Sequence, residues 1–494
     1  MKIVIAYPPL SYKGNKKQVP LLSQNRQFQW FHSPTYIYPV VPACAATLLK
    51  NAGYDVIWYD GIAEKKTYKE FLNFVAEENP DLIMMETKTP VVKQHWKIIN
   101  ELKTPRRTSL RGRQNSKLKI ALVGDHVTAL PEESMKNCKV DFILTGGDYD
   151  FLLLNLCRVL EKPITELEPG IWYRENGEIK NTGKFKLDHD LNTLPFIDRD
   201  LTKWKLYAYK NGNYKRTPGT YIMAGRDCWW GKCKFCSWTT LYPSFRTRKP
   251  EHVLDEIGTL IEKYHIKEIM DDTGTFPVGE WLKEFCEGMI ARGYNKKIRF
   301  NCNMRFGALK QKDYDLMAKA GFRFILCGLE SARQETLDRI NKNLKVPQIT
   351  EGAKMAKKAG LHPHLTTMVG YPWESKEDAL RTVRLAKELF SKGYVNTLQA
   401  TIVTPYPGTP LFDECKKGNQ LRTLDWDRYD MQEPVMETPL TDADVKQFTQ
   451  GLYKSFITPG FIFRTITFIR DFDDIIFILR AAKSVLGHLT DFKK

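Results

Sequence analysis

The sequence lacks a hydrophobic segment long enough to cross a membrane: it has no run of about 18 apolar residues without a charge. The apolar stretch at residues 3–10 is followed by polar YKGNKKQ, so it is too short and wrongly flanked for a signal peptide. We therefore expect a cytoplasmic protein that is at most associated with a membrane surface.

Cysteine is scarce, with ten residues in a chain of 494. In a protein that is not exported, this number argues against a disulfide framework. Seven cysteines stand singly in apolar or helical surroundings, where we expect small buried side chains. They are Cys44, Cys138, Cys157, Cys286, Cys302, Cys327 and Cys415.

Acidic residues are outnumbered, 58 against 75 Lys and Arg, which gives a formal net charge of +17. This excess is compatible with a nucleic-acid or anionic-membrane partner but does not indicate a fold. Part of it lies in the basic, Ser-containing segment 102–119, which is typical of a solvated loop, with a binding patch as the alternative. Since no nucleic-acid-binding module is visible, we expect no nucleic-acid partner.

The first third of the chain alternates near-continuous apolar runs with segments of helical spacing. This pattern predicts a parallel sheet covered on both faces, in a doubly wound, Rossmann-like domain over residues 1–160. A ligand would then lie beyond the carboxyl ends of the strands. The candidate strands are 3–7, 55–60, 81–87, 119–125 and 140–147, and the candidate helices are 41–53, 68–79 and 91–103.

A second alternating series predicts a partial (β/α)6 barrel over residues 216–425, with its chemistry at the carboxyl ends of the strands. Residues 161–215 between the two domains are expected to form a linker, with a hairpin at YRENGEIKN. Residues 426–494 are expected to form a helical C-terminal extension. The candidate barrel strands are 220–226, 267–272, 297–301, 323–330, 364–370 and 397–403.

The end of the extension carries an apolar helical stripe. We expect it to pack on the preceding domain, and an interfacial membrane helix is the alternative, because residues 461–470 set aromatic side chains beside arginines. The stripe consists of Ile475, Leu479, Ala482, Leu486 and Leu489, with Arg480 and Lys483 off it.

Three cysteines, Cys228, Cys233 and Cys236, are grouped in GRDCWWGKCKFCSW without a fourth nearby. A structural zinc site needs four ligands, and the next histidine, His252, lies downstream in a helical pattern. Zinc with a distant fourth ligand is therefore the lesser alternative. A 4Fe–4S cluster held by three thiolates leaves one iron open to a small molecule, which explains the missing cysteine better.

This segment resembles the cluster loop of radical S-adenosylmethionine (SAM) enzymes, with one extra residue between the first two cysteines. The resemblance implies that Cys228, Cys233 and Cys236 hold the cluster, that SAM chelates the fourth iron and that Phe235 lies near the adenine. An electron donor such as flavodoxin or ferredoxin would reduce the cluster, which then cleaves SAM to methionine and a 5′-deoxyadenosyl radical.

Further segments resemble radical SAM enzymes in the expected order. MDDTGTF (270–276) and CGLES (327–331) imply SAM contacts from Asp272 and Glu330, for which capping or surface pairing is the alternative. MVGYPWES (368–375) and TPYPGTPLFD (404–413) resemble segments of the cobalamin-binding branch, although their glycines and prolines also suit simple turns.

The first strand leads into YPPL and not into the G-x-G-x-x-G turn of a dinucleotide-binding domain. VGDHVTALPEE (123–133) and ILTGGDYDFLLLNL (143–156) instead resemble the cobalamin-binding domain that precedes many radical SAM domains. The resemblance implies cofactor contacts from four residues, Val127, Thr128, Gly146 and Gly147. No axial ligand of cobalt is assigned: His126 invites that role, but a histidine that bonds to the backbone is an equal interpretation.

Together these resemblances imply a cobalamin-dependent radical SAM enzyme, foremost a methyltransferase acting on an unactivated carbon of a lipid or natural product. Polar methyl transfer fails at such a carbon because it has no lone pair, which accounts for two cofactors. Cyclisation or rearrangement without methyl transfer and RNA modification remain alternatives, followed by a cobalamin sensor without catalysis. The sequence assigns no catalytic residue.

Overall fold

The computed structural model describes residues 1–10, 36–104, 117–162, 166–209, 211–454 and 471–491, with four single positions between 455 and 470. Most of the basic segment 102–119 and of the aromatic–arginine segment 461–470 lies outside the described residues.

The first sheet has seven strands in the order β2-β1-β3-β4-β5-β6-β7. Its first five strands are parallel, and their buried apolar runs are covered by helices, as the sequence predicts. The strands are β1 Lys2–Tyr7, β2 Asp55–Asp60, β3 Leu82–Glu86, β4 Lys119–Val123, β5 Phe142–Leu144, β6 Ile171–Glu175 and β7 Glu178–Asn181. The helices are α1 Val40–Asn51, α2 Tyr68–Glu78, α3 Val92–Leu102, α4 Asp125–Ala129, α5 Pro131–Asn137 and α6 Tyr149–Glu161.

Strands β6 and β7 form the hairpin expected within residues 161–215. The hairpin pairs antiparallel with β5 and so extends the first sheet at its edge. The rest of this segment runs through a short helix, α7 Lys205–Ala208, toward the second sheet.

The second sheet has six parallel strands in the order β15-β14-β13-β12-β11-β8, which confirms the predicted partial barrel. These are β8 Gly219–Ile222, β11 Glu268–Asp271, β12 Arg299–Met304, β13 Phe322–Glu330, β14 His362–Val369 and β15 Thr397–Ile402, with a two-stranded ribbon of β9 Gly225–Arg226 and β10 Arg246–Thr247 after β8. The helices are α8 Trp238–Leu241, α9 Pro250–Tyr264, α10 Glu280–Ala291, α11 Tyr294–Lys297, α12 Gln311–Lys319, α13 Gln334–Arg339, α14 Val346–Lys358, α15 Lys376–Ser391 and α16 Pro410–Lys417.

A buried ion-pair cluster, which we call the Arg226 cluster, joins the two sheets. Arg226 on β9 lies 2.7 Å from Asp148 and 2.5 Å from Asp150, at the start of α6, and Arg246 lies 2.6 Å from Asp148. His189 contacts Asp148 and Glu168; burial opposes its protonation, but these carboxylates raise its pKa to about 9. The cluster holds the carboxyl edges of the two sheets against each other.

The C-terminal extension contains α17 Asp442–Lys454 and α18 Phe472–Asp491. Helix α18 packs on the preceding domain, but Ile475, Leu479 and Ala482, the stripe residues whose side chains are described, are exposed. Asp474 pairs with Lys215 and Arg216 at 2.8 and 2.9 Å, and Arg480 donates to the carbonyl of Tyr214. The stripe residue Leu479 is instead 65% exposed. Ion pairing with the basic segment before β8 thus holds Asp474 on the inward side of α18, together with the half-buried Phe477, whose ring lies 5.9 Å from the Arg323 guanidinium. None of the helices in the described part of the chain has the length and hydropathy of a membrane span.

Candidate functional site

The cysteine loop leaves the barrel at the carboxyl end of β8 and the β9 ribbon. Asp227 and Gly231 adopt left-handed conformations, with φ of +73° and +58°, which bend the chain around the first cysteine. A backbone hydrogen bond of 3.2 Å from Cys236 to Cys233 then closes the loop before α8. The three thiols therefore lie where a parallel barrel places its chemistry.

Each thiol of the loop has a distinct environment. Cys228 Sγ lies 2.9 Å from Thr275 Oγ1, and Arg305 Nη1 donates to Cys233 Sγ at 3.8 Å. Burial raises the pKa of Cys233 and raises that of Cys236 to about 12. Iron binding must therefore displace protons from these thiols, and the Arg305 charge favours the thiolate of Cys233.

The donor set fits a 4Fe–4S cluster better than a single metal ion. No group of three or more His, Cys, Asp or Glu within the described ranges is arranged to hold one ion. A tetrahedral zinc at about 2.3 Å from each sulfur would bring the sulfurs to about 3.8 Å from each other. In a cube each thiolate binds a different iron, so more widely spaced thiols are suitable. The zinc alternative therefore receives no support.

Glu330, a predicted SAM contact, ends β13 beside the cysteine loop. It is buried with φ of +62°, and its carboxylate accepts a 2.7 Å hydrogen bond from Lys342 Nζ. A Cβ on Gly328 would lie 1.9 Å from Glu330 Oε1, so a larger residue there would displace the Glu330–Lys342 pair. The ammonium of Lys342 also lies 5.8 Å from the Phe235 ring, so Lys342 is close to both of the predicted SAM contacts Glu330 and Phe235.

Sequence reasoning missed two basic residues, Arg305 and Lys342. The guanidinium of Arg305 lies 5.5 Å from the Trp229 ring and 5.3 Å from the Trp230 ring and also donates to the Lys342 carbonyl. Arg305 follows β12 and Lys342 follows α13, at 69 and 106 positions from Cys236, and no local spacing marks either residue.

The two acids of MDDTGTF have different roles. Asp271 accepts hydrogen bonds from the backbone N–H of Ala224 at 2.6 Å and of Thr273 at 3.0 Å, and burial raises its pKa to about 7. It therefore fixes the turn after β8. Asp272 instead lines a cavity, as its predicted ligand contact requires.

That cavity, of about 90 Å³, lies where the carboxyl edges of the two sheets meet. This volume is below the usual range of small-molecule sites, so a bound cofactor would require the cavity to widen. Lys88 lies 3.5 Å from Glu86 and 3.8 Å from Asp125. These three buried charged residues form part of the cavity wall that the first domain contributes. The cavity is lined by Glu86, Lys88, Asp125 and Tyr149 from the first domain and by Met223, Trp238, Tyr242 and Asp272 from the second, among others.

The four predicted cobalamin contacts lie at the same edge but contact protein atoms. Thr128 Oγ1 accepts from the Gly146 N–H at 3.0 Å, and Val127 is fully buried. A Cβ on Gly147 would lie 1.7 Å from the Tyr242 ring, so the second domain already occupies the space above this glycine.

His126 is completely buried and is held on both ring nitrogens. Its Nδ1 lies 3.2 Å from Thr89 Oγ1 and its Nε2 lies 3.3 Å from Glu133 Oε2. The ring also packs against Trp426 at 5.2 Å. His126 is thus held by side chains and not by the backbone hydrogen bond that the sequence suggested. Both ring nitrogens have partners, so neither is free to coordinate cobalt.

In the two later segments, Gly370 and Gly408 have positive φ, as turn residues do. Gly408 also allows close packing, since a Cβ there would lie 2.7 Å from Thr240 after the cysteine loop and 2.9 Å from Ala129 of α4. This turn therefore joins the cysteine loop to the first domain.

Comparison with known proteins agrees with this geometry. The radical SAM superfamily pattern matches residues 222–386, from β8 into α15. An uncharacterized methyltransferase of Pyrococcus horikoshii is 28% identical over 454 residues, covering 90% of this chain and 92% of the relative. The anaerobic magnesium-protoporphyrin IX monomethyl ester cyclase of Cereibacter sphaeroides is 27% identical, covering 84% and 66%. The bacteriochlorophyllide d C-12(1)-methyltransferase of Chlorobaculum tepidum is 29% identical, covering 42% and 45%.

Two solved structures share the whole layout. The cobalamin-dependent SAM radical enzyme OxsB, solved with aqua-cobalamin and SAM, aligns with a TM-score of 0.69 and 14% identity over 92% of this chain and 69% of its own. TsrM, a radical SAM methyltransferase from Kitasatospora setae solved with cobalamin and a 4Fe–4S cluster, aligns with a TM-score of 0.66 and 13% identity over 93% and 89%. Residues 222–386 of this chain thus match the radical SAM superfamily, and the fold places a Rossmann-like domain ahead of the partial barrel.

Proposed function

We propose that this protein is a cobalamin-dependent radical SAM methyltransferase that methylates an unactivated carbon of a lipid or natural product. One observation carries the proposal: the carboxyl edges of both sheets face a common cavity beside the three-cysteine loop. The methyltransferase names of the Pyrococcus and Chlorobaculum relatives support methyl transfer as the reaction.

The chain's own residues would bind and orient the reacting groups. When bound, the cluster and SAM supply a 5′-deoxyadenosyl radical, and cobalamin supplies the methyl group. Cys228, Cys233 and Cys236 would hold the cluster, while Lys342 keeps the Glu330 carboxylate in one position to accept hydrogen bonds from SAM. Asp272 would contact SAM from the cavity wall.

The first domain would hold cobalamin at the carboxyl edge of its sheet, with contacts from Val127, Thr128, Gly146 and Gly147. The cavity wall there already exposes polar groups of Glu86, Lys88 and Asp125. Since the Tyr242 ring covers Gly147, contact with that glycine requires the ring to move. Tyr242 stacks on Trp238 at 5.4 Å, so these two aromatic side chains would also exclude water from the radical.

The test is anaerobic purification with analysis of iron, sulfide and cobalamin, followed by SAM cleavage and mass spectrometry of metabolites that accumulate in a deletion strain. We expect four irons per chain, bound cobalamin, 5′-deoxyadenosine and an unmethylated precursor. A tetrahedral zinc centre, or a cluster that is unaffected by SAM, would contradict the proposal.

The cyclase relatives favour a second candidate, ring closure without methyl transfer. Methyl-deuterated SAM separates the two reactions. Label in the product supports methyl transfer, and an unlabelled cyclised product supports the second candidate. An electron donor such as flavodoxin or ferredoxin is needed for either reaction.

We also propose that α18 contacts a membrane surface peripherally. Its outward face carries Phe472, Ile475, Ile476 and Leu479, which are 73%, 40%, 38% and 65% exposed. Exposed apolar side chains near arginines suit an interfacial helix. Co-sedimentation with anionic vesicles should fall for the double variant Phe472→Ser/Leu479→Glu and stay unchanged for Ile290→Glu, which alters an exposed apolar residue elsewhere. Equal binding by both variants would contradict this contact.

A further inference from the structure

Asp227, the residue before the first cluster cysteine, combines three features that cost stability. It is 1% exposed, its φ is +73°, and neither carboxylate oxygen has a hydrogen-bond partner of good geometry. A strained, unpaired buried carboxylate persists only where something else needs it.

Other buried acids around the site have donors. Glu330 has Lys342, Asp271 has two backbone N–H groups, and Asp150 has Arg226. Within the described ranges, Asp227 is the one carboxylate with both oxygens buried and unpaired. The missing partner is therefore not supplied by the described protein atoms around the loop.

The position of Asp227 indicates which ligand would supply that partner. A Cβ on Gly231 would lie 3.4 Å from Asp227 Oδ2, and one on Gly274 would lie 3.1 Å from the Asp227 carbonyl carbon, so two glycines leave space around the residue. Asp227 thus lies with its carboxylate beside Gly231 of the cysteine loop and its backbone beside Gly274 of the strand-end segment that contains Asp272.

We propose that Asp227 is a ligand-positioning residue whose carboxylate accepts hydrogen bonds from the amino group of SAM bound at the cysteine loop. This inference rests on the proposed function. A ligand with N–H donors next to the cluster satisfies both oxygens without a further protein group. Glycine would adopt this left-handed backbone conformation with less strain. The presence of aspartate at this position is therefore explained by a need for its carboxylate.

Asp227→Gly and Asp227→Asn test the assignment. Without cofactors, both variants should melt at a higher temperature than the wild type, because each removes a buried unpaired charge. After reconstitution with iron and sulfide, both should retain the cluster but bind SAM about tenfold more weakly, as expected when a charged hydrogen bond is lost. Equilibrium binding of SAM and its effect on the EPR spectrum of the reduced cluster provide the measurements.

Lys65→Gly is the matched control, since exposed Lys65 also has a left-handed φ of +58° but lies in the first domain. It should raise the melting temperature without changing SAM affinity. Unchanged SAM affinity in both Asp227 variants would overturn the inference, as would loss of the cluster in both, which would assign Asp227 to cluster assembly. If the reconstituted wild type itself binds no SAM, the proposed function fails together with this inference.

Discussion

The two carboxyl edges that meet at the cavity use their loops in opposite ways. On the barrel side, the loop after β8 presents three free thiols and a buried Asp227 carboxylate that has no hydrogen-bond partner among the described residues. On the first-domain side, the predicted residues are engaged: Thr128 bonds to Gly146, and His126 is held on both nitrogens. The barrel edge is therefore chemically incomplete on its own, whereas the first-domain edge already forms a packed protein interface.

This difference shows that the sequence can indicate which kind of cofactor a strand-end loop would bind without revealing which atoms its residues contact. Iron must be coordinated by specific donor atoms, so the cysteine residues themselves identify the site in the sequence. A large planar cofactor is bound mainly through shape complementarity. The small residues that allow it to approach the backbone also allow another part of the protein to pack there. Gly147 beneath Tyr242 illustrates the second case.

The largest expected effect is at the barrel edge. Cys233→Ala should abolish the 4Fe–4S cluster and SAM cleavage while cobalamin binding persists, because one of three cluster ligands is lost and the first domain is untouched. Iron and sulfide analysis with EPR measures the cluster. Cys286→Ala, a buried cysteine on α10, should keep the cluster. If Cys233→Ala still contained a cluster that cleaves SAM, Cys233 would not be a required ligand, and the proposed metal site at the barrel edge would be wrong.

The second effect concerns the contact between the edges. Arg226→Met should lower the free energy of unfolding by about 3–5 kcal/mol, because it leaves Asp150 buried without a cation and removes one of the cations that pair with Asp148. Urea unfolding measures this loss. Arg292→Met breaks a more exposed pair with Asp255 and should cost less than about 1 kcal/mol. Similar losses in both variants would mean that the Arg226 cluster does not join the edges.

A smaller effect tests the packed role of Gly147. Gly147→Ala should cost about 1–3 kcal/mol of unfolding free energy, because the new Cβ overlaps the Tyr242 ring. Tyr242→Leu in the same chain should recover part of this loss, which a double-mutant cycle measures. Gly212→Ala, which has no atoms within 4 Å of its Cβ position, is the control. Full additivity would indicate that the two residues do not contact each other.

The smallest effect is a pH dependence in the Arg226 cluster. His189 has a pKa of about 9 against about 6.5 when unfolded, so its stabilisation is complete below pH 6.5 and is lost as pH rises to 9 and above. His189 is partly solvated, so we expect a loss on the order of 1–2 kcal/mol over this window relative to His189→Gln. Denaturation curves from pH 6 to 10 measure it.

Glu168→Gln removes one of the two carboxylates that raise the His189 pKa and should narrow this window. Parallel stability curves for wild type and His189→Gln across the range would show that the charge of His189 contributes nothing to the contact between the edges.

Sequence patterns predicted the strands of both sheets because buried parallel strands need continuous apolar runs, such as Leu82–Glu86. The tail shows the limit of such patterns. Its apolar stripe was expected to pack inward, yet Asp474 and Arg480 make the contact and Leu479 is exposed. The basic partners Lys215 and Arg216 lie more than 250 residues earlier, so no local period can reveal them.

By itself the sequence determined the fold class and the three-cysteine loop, because apolar periodicity and thiol spacing are local properties of the chain. Only the tertiary structure decided that Arg305 and Lys342 join that loop, that Asp227 lacks a partner and that Tyr242 covers Gly147. These facts depend on which distant segments meet at a sheet edge, and that is set by packing of the whole chain.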